Sequence, residues 1–261
     1  MKAELRTITP DWARKVLNDK NVGNRAMNPK HVAVLSNEIK SGRWKVNGDT
    51  ICINDDRLID GQHRLAAIVH SNIAVQSFVI EGLPSDVFDT KDVGKRRSPG
   101  DTLGVLGEKN SYRMASALAL VDKYMTGRAD KTVDYTNTAI EELLAKYPDI
   151  RESLQVSASS KGIMPPSVLD ACYYIFSQKD KLLAVSFVNK VVRGIGLEAG
   201  DPFHMLRERM LKNSISKAKL TKHYVMALCI KAWNSARNGM KVRTLRWRET
   251  GDATEAFPVA L

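Results

Sequence analysis

The spacing of apolar residues changes character along the chain. In the first hundred residues, short runs of alternating or continuous apolar positions stand between stretches with helical spacing; after about residue 105 only helical spacing recurs. Glu4 to Thr7 reads as a short strand. Thr9 then caps a helix with Pro10 at its first position, running to about Asn18. Asn28-Pro29 repeats that start, and Val32, Leu35 and Ile39 share one face of a helix ending near Gly42. Asp49 to Asn54 alternates as a strand, Asp55-Asp56 turns, and Leu58-Ile59 forms a second short strand. Gly61 to His70 is expected to be a helix with Leu65, Ile68 and Val69 inward. Ala74 to Ile80 is a third strand after the first, and Pro84 to Phe88 a short helical segment.

The second half predicts helices at Ser111–Tyr124, Thr138–Lys146, Ile150–Ser157, Pro166–Ser177, Lys181–Val192 and Leu220–Asn238. Thr136 and Asp180 look like helix entries, and residues 194–202 are a glycine-bearing loop. No internal repeat or low-complexity tract is present. The expected fold class is α+β, with a small mixed domain at residues 1–105 and an all-helical domain at 106–261.

Charge changes this picture more than composition does. The chain has 261 residues, room for one large or two small domains at about 100–200 residues each. Its formal net charge of +11 favours polyanionic partners, with DNA first among them. Cys52, Cys172 and Cys229 are far apart and odd in number, without a CxxC pair. That argues against zinc and a disulfide framework and fits a reducing, cytoplasmic setting. The first residues lack the apolar core of a signal peptide, and no apolar run approaches membrane-span length, so no membrane role is expected.

Candidate chemistry concentrates at Asp60-Gly61-Gln62-His63-Arg64-Leu65-Ala66-Ala67, where a short strand gives way to a helix. A helix start exposes unpartnered N–H groups at the positive end of its dipole, and glycine lets backbone approach a phosphate closely. Arg64 offers a forked donor that matches phosphate, and His63 can donate, accept or shuttle a proton. Asp60 suits Mg²⁺ binding, a base in phosphoryl transfer, or a cap on the helix. An ordinary strand-to-helix turn with exposed polar residues has the same local pattern.

The order of elements over roughly residues 4–82, with Asn24-Arg25, Ile39-Lys40-Ser41-Gly42 and the Asp60–Ala67 turn in place, resembles the ParB/sulfiredoxin superfamily, in particular its phage and mobile-element branch. The resemblance implies a nucleotide-binding domain whose phosphates sit on Gly61, Gln62, His63 and Arg64, with Asn24 and Arg25 approaching the same pocket. Partition proteins of the ParB type carry Gly-Glu-Arg-Arg there and bind CTP. Sulfiredoxins carry Gly-Cys-His-Arg and use ATP. Gln62 replaces the sulfiredoxin cysteine, which excludes sulfinic-acid reduction. The second arginine of the partition motif is absent unless Arg64 serves for it.

Two basic stretches remain. Lys91, Lys95, Arg96 and Arg97 surround Gly94, and Arg243 and Arg246 lie in a C-terminal run that also holds Trp247. Lys95, Arg96, Arg97, Arg243 and Arg246 are the expected DNA-contacting residues; the tryptophans are expected to pack. The resulting expectation is a ParB-like nucleotide-binding protein associated with DNA, taking CTP or ATP with Mg²⁺. Asp60 and His63 would carry any hydrolysis or phosphotransfer, and Asp60 would hold the metal. A kinase or nuclease-like enzyme of the same fold, and a DNA-binding adaptor without nucleotide chemistry, are the alternatives. Oligomeric state, a homodimer included, stays open.

Overall fold

The computed structural model describes residues 1–84, 97–157, 162–251 and 253–261. Among them are eleven α-helices and one four-stranded mixed sheet, an α+β arrangement. The chain divides into two compact units, Met1–Arg96 and Arg97–Leu261. The division precedes the boundary expected near residue 105, because a helix at Pro99–Val105 belongs with the second unit.

The first unit runs β1 (Lys2–Ile8), α1 (Pro10–Lys20), α2 (Pro29–Lys40), β2 (Thr50–Ile53), β3 (Leu58–Asp60), α3 (Gln62–Ser71) and β4 (Val75–Glu81). The strand order is β1-β4-β2-β3. β4 is antiparallel to β1, with Leu5 opposite Phe78, and parallel to β2, with Ile51 opposite Val79. β2 and β3 are antiparallel with a register shift at Cys52/Ile53. Thr9 and Asn28 cap α1 and α2 as their sequence predicts, each with proline next. Ile8, Val32, Ile51, Leu58, Leu65, Ile68 and Val79 form the shared core. Burying each such side chain stabilises the unit by roughly 1.5–3 kcal/mol before entropy is counted. That core fixes the start of α3 against the ends of β2 and β3.

The second unit contains α4 (Pro99–Val105), α5 (Ser111–Met125), α6 (Asn137–Lys146), α7 (Ile150–Val156), α8 (Pro166–Ser177), α9 (Lys181–Val188), α10 (Pro202–Ile215) and α11 (Lys222–Arg237). α8 is buried on every side from Ser167 to Phe176, as an apolar helix must be when others surround it. Its Phe176 stacks on Trp233 of α11 at 4.3 Å between ring centroids. α9 continues into a π-helical turn at Asn189–Arg193, which Gly194 ends. The C-terminal residues lie back on the unit: Trp233 Nε1 donates to Leu261 O, and Ala260 N donates to Tyr124 Oη. Among the described residues no helix is long and apolar enough to cross a membrane. The predicted helical segment at Pro84–Phe88 lies, after Pro84, outside the described residues.

Candidate anion site at the start of α3

Gly61 is the N-cap of α3 and adopts φ 104°, in the left-handed region. A Cβ there would stand 3.2 Å from Ile51 Cγ1 and 3.3 Å from Ile51 Cα, so both conformation and space require glycine. The fold alone therefore explains this residue. With no side chain at the cap, α3 begins without a side-chain hydrogen bond to its first amides. Among the described residues, no hydrogen bond engages the backbone N–H of Gln62 or Arg64.

Asp60 is not the cap. It ends β3, and its carboxylate faces back along the helix to accept from Arg64 Nη2 at 3.0 Å, an i,i+4 ion pair. Arg64 is largely buried, with 16% of its side chain exposed. Its Nη2 also donates to Thr50 O, while Asp49 Oδ2 stands 3.5 Å from Nη1. Arg64 Nε is buried and has no partner. The guanidinium is thus a fixed cation with its outer nitrogens engaged and one donor unused.

Gln62 Nε2 donates to Arg25 O at 3.1 Å, drawing residues 21–28 across the helix start. This contact orients the amide, and it leaves Gln62 Oε1 buried without a donor. Asn24 Nδ2 ties the same segment to Asn21 Oδ1 and Leu58 O, both at 2.8 Å. The Arg25 side chain is exposed. His63 Nε2 accepts from Asn28 N at 3.1 Å, and the His63 ring meets the edge of His31 at 5.2 Å. An accepting Nε2 puts the proton of the neutral ring on Nδ1. Asn28 Oδ1 in turn accepts from Lys30 N and His31 N. His63 therefore joins the first turns of α2 and α3.

All six expected nucleotide-binding residues, Asn24, Arg25, Gly61, Gln62, His63 and Arg64, gather at this one place. Asn28, Asp49 and Thr50 join them without having been anticipated. Asn28 carried a visible signal, but only as a cap. The Thr50 contribution is a backbone carbonyl, to which sequence is blind. No group of three His, Cys, Asp or Glu side chains suited to a metal ion occurs among the described residues.

The expected DNA-contacting residues divide differently. Lys95 and Arg96 lie outside the described residues. Arg97 is exposed, and its carbonyl accepts from Asn137 Nδ2. Arg243 and Arg246 are exposed on the irregular segment after α11. Trp233 and Trp247 are both buried, in keeping with packing roles.

Comparison of the chain with protein-family models, curated proteins and solved structures finds no match. The functional reading therefore rests on the residues and their geometry.

Proposed function

We propose that the chain is a ParB-like nucleotide-binding protein associated with DNA, and that the first turn of α3 seats the nucleotide phosphates. One observation carries this reading. The backbone N–H groups of Gln62 and Arg64 take no hydrogen bond, and the same two residues carry buried side-chain atoms without partners, Gln62 Oε1 and Arg64 Nε. Buried polar groups are normally satisfied, and each exception costs about 1–3 kcal/mol. Phosphate oxygens accept from amides at a helix start and from a guanidinium N–H. Gln62 Oε1 asks for a donor instead, which a ribose hydroxyl or a base amino group supplies. CTP and ATP are the ligands that the superfamily resemblance suggests.

The same geometry assigns less to a metal. Asp49 and Asp60 both face the Arg64 guanidinium, so a magnesium ion on Asp60 would sit beside a positive charge. The residues suit phosphate oxygens better than a divalent ion, and binding is the activity proposed. Asp60 Oδ2 and His63 Nε2 are already engaged by Arg64 and by the Asn28 amide.

Thermal unfolding with CTP, ATP and GTP, with and without Mg²⁺, tests the reading. A ligand at a hundred times its Kd adds about 2.7 kcal/mol of apparent stability. At least one nucleotide is expected to raise Tm saturably in the wild type, and Arg64→Ala is expected to abolish the rise. No rise with any nucleotide would leave the DNA-binding adaptor as the better account.

A further inference from the structure

The basic residues of the second unit are not equivalent. Of those between residues 207 and 237, several are consumed by the fold. Arg207 Nη1 donates to Val191 O and Val192 O, closing the π-helical turn. Lys231 pairs with Glu255, Lys222 donates to Ser116 Oγ, and Arg237 donates to Leu261 O. Lys219 donates to Asn213 O and Ser214 O. Arg207 and Lys231 are half-buried in these contacts, whereas Lys219, Lys222 and Arg237 make theirs at the surface.

Residues 241–248 behave in the opposite way. Lys241, Arg243, Arg246 and Arg248 are exposed, while Val242 and Leu245 are half-buried and Trp247 is buried. Among the described residues, no carboxylate lies within ion-pair distance of any of these four cations. Of the described acids near this segment, Glu249 contacts His223, Glu255 pairs with Lys231 and Asp201 pairs with Lys190, while Asp252 lies outside the described residues.

The backbone beneath these cations is fastened at several points. Val242 N donates to Gly200 O, and Tyr224 Oη donates to Trp247 O at 2.9 Å. Trp247 Nε1 donates to Glu255 O and Ala256 O, and Glu255 N donates to Arg248 O. Tyr224, His223 and Phe257 surround the indole. A segment without regular secondary structure is thus fastened at its backbone, with its four cations exposed and none of them paired to a carboxylate among the described residues.

The geometry points to residues 241–248 as a surface for the phosphate backbone of duplex DNA. This rests on the DNA association proposed above and is independent of the nucleotide seat on α3. Guanidinium forks match phosphate oxygens, and release of condensed counterions supplies the affinity. Anchoring the backbone in advance lowers the ordering cost of contact. The duplex is preferred over a single strand because the aromatic group of this segment, Trp247, is buried, so no stacking platform faces out. Contacts of this kind position the protein on DNA and read no sequence.

The full chain without nucleotide is titrated with a random-sequence DNA duplex by fluorescence anisotropy, from about 50 to 200 mM salt. For Arg243→Ala/Arg246→Ala/Arg248→Ala the expectation is at least about tenfold weaker binding. Its log K versus log salt slope should be shallower by roughly 2–3, at about 0.9 per phosphate contact. The triple Arg→Lys variant keeps the charge and should retain most of the slope. Arg209→Ala/Lys212→Ala/Lys217→Ala removes three exposed cations outside the segment and should change binding by less than about threefold. Equal losses in the two alanine triples would mean diffuse attraction and overturn the proposal. So would an unchanged slope in the first, or tighter binding of single-stranded DNA or an RNA duplex than of the DNA duplex. A nucleotide that fails to bind would leave this result untouched.

Discussion

Each unit contains an arginine held by an aspartate in a mostly buried setting, and the two settings differ in what is left over. In the second unit Arg113 Nε and Nη2 engage both oxygens of Asp170 at 2.6 Å, and Ser157 Oγ accepts from Arg113 Nη2 while its single proton is shared between Asp170 Oδ1 and Ser153 O. Among the described residues no buried side-chain atom of that cluster lacks a partner. In the first unit Arg64 and Asp60 also pair, but Arg64 Nε and Gln62 Oε1 have none. A closed network needs nothing more than the fold. An open one beside uncapped amides has hydrogen-bonding capacity that the fold itself does not use. The residue types are the same, and the unused hydrogen-bonding capacity separates structure from candidate function.

The largest effect that sharpens this contrast is expected at the closed cluster. Arg113→Ala strands a fully buried carboxylate and should cost about 3–5 kcal/mol in urea unfolding at neutral pH. Burial pushes the Asp170 carboxyl above its usual range, while Arg113 and Ser157 pull it down. Without Arg113 its folded pKa rises further above the unfolded one. A raised pKa gives stability that is present below the unfolded value and lost as pH rises through the folded one. The deficit of Arg113→Ala should therefore shrink as pH falls from 7 toward about 4. A deficit that grew on acidification would contradict the closed-network reading.

Gly61→Ala comes next. Forcing a Cβ into the left-handed region against Ile51 should cost about 1–3 kcal/mol, measured by the same unfolding curves. A neutral result would mean that the turn relaxes freely and is not a fixed seat.

The smallest stability effect is predicted for Gln62→Met, which keeps side-chain bulk. It loses the tie to Arg25 O but also removes the orphaned acceptor, so unfolding should move by less than about 1 kcal/mol. Nucleotide affinity should fall by about 0.5–1.5 kcal/mol in calorimetric titration. Equal affinity in the variant would show that Gln62 Oε1 takes no part in the site.

Much of the fold is legible in the residues because local rules and tertiary packing agree. Thr9-Pro10 and Asn28-Pro29 start α1 and α2 where expected, and the alternation in residues 49–54 and 74–80 becomes β2 and β4. α4 was not anticipated, because Pro99-Gly100 reads as a turn. There Ser98 and Asp101 form a reciprocal cap, and Gly100 admits the Tyr112 ring, which a Cβ would meet at 2.5 Å. α10 was hidden by its charges, although Asp201-Pro202 starts it. At the candidate site the gathering of Gly61 to Arg64 with Asn24 and Arg25 could be expected from the resemblance. The turning of Asp60 onto Arg64 could not, since Asp before a helix more commonly caps it. The sorting of basic residues into tied and untied was equally invisible, because it depends on carbonyls and acids far away in sequence.

Backbone amide NMR of the full chain, titrated with CTP, ATP and inorganic tripolyphosphate, tests the anion seat most directly. The account predicts saturable shifts centred on the amides of Gly61, Gln62, His63 and Arg64, reproduced at the same residues by tripolyphosphate. Amides that stay unmoved at ligand excess, or shifts centred on another segment, would contradict it.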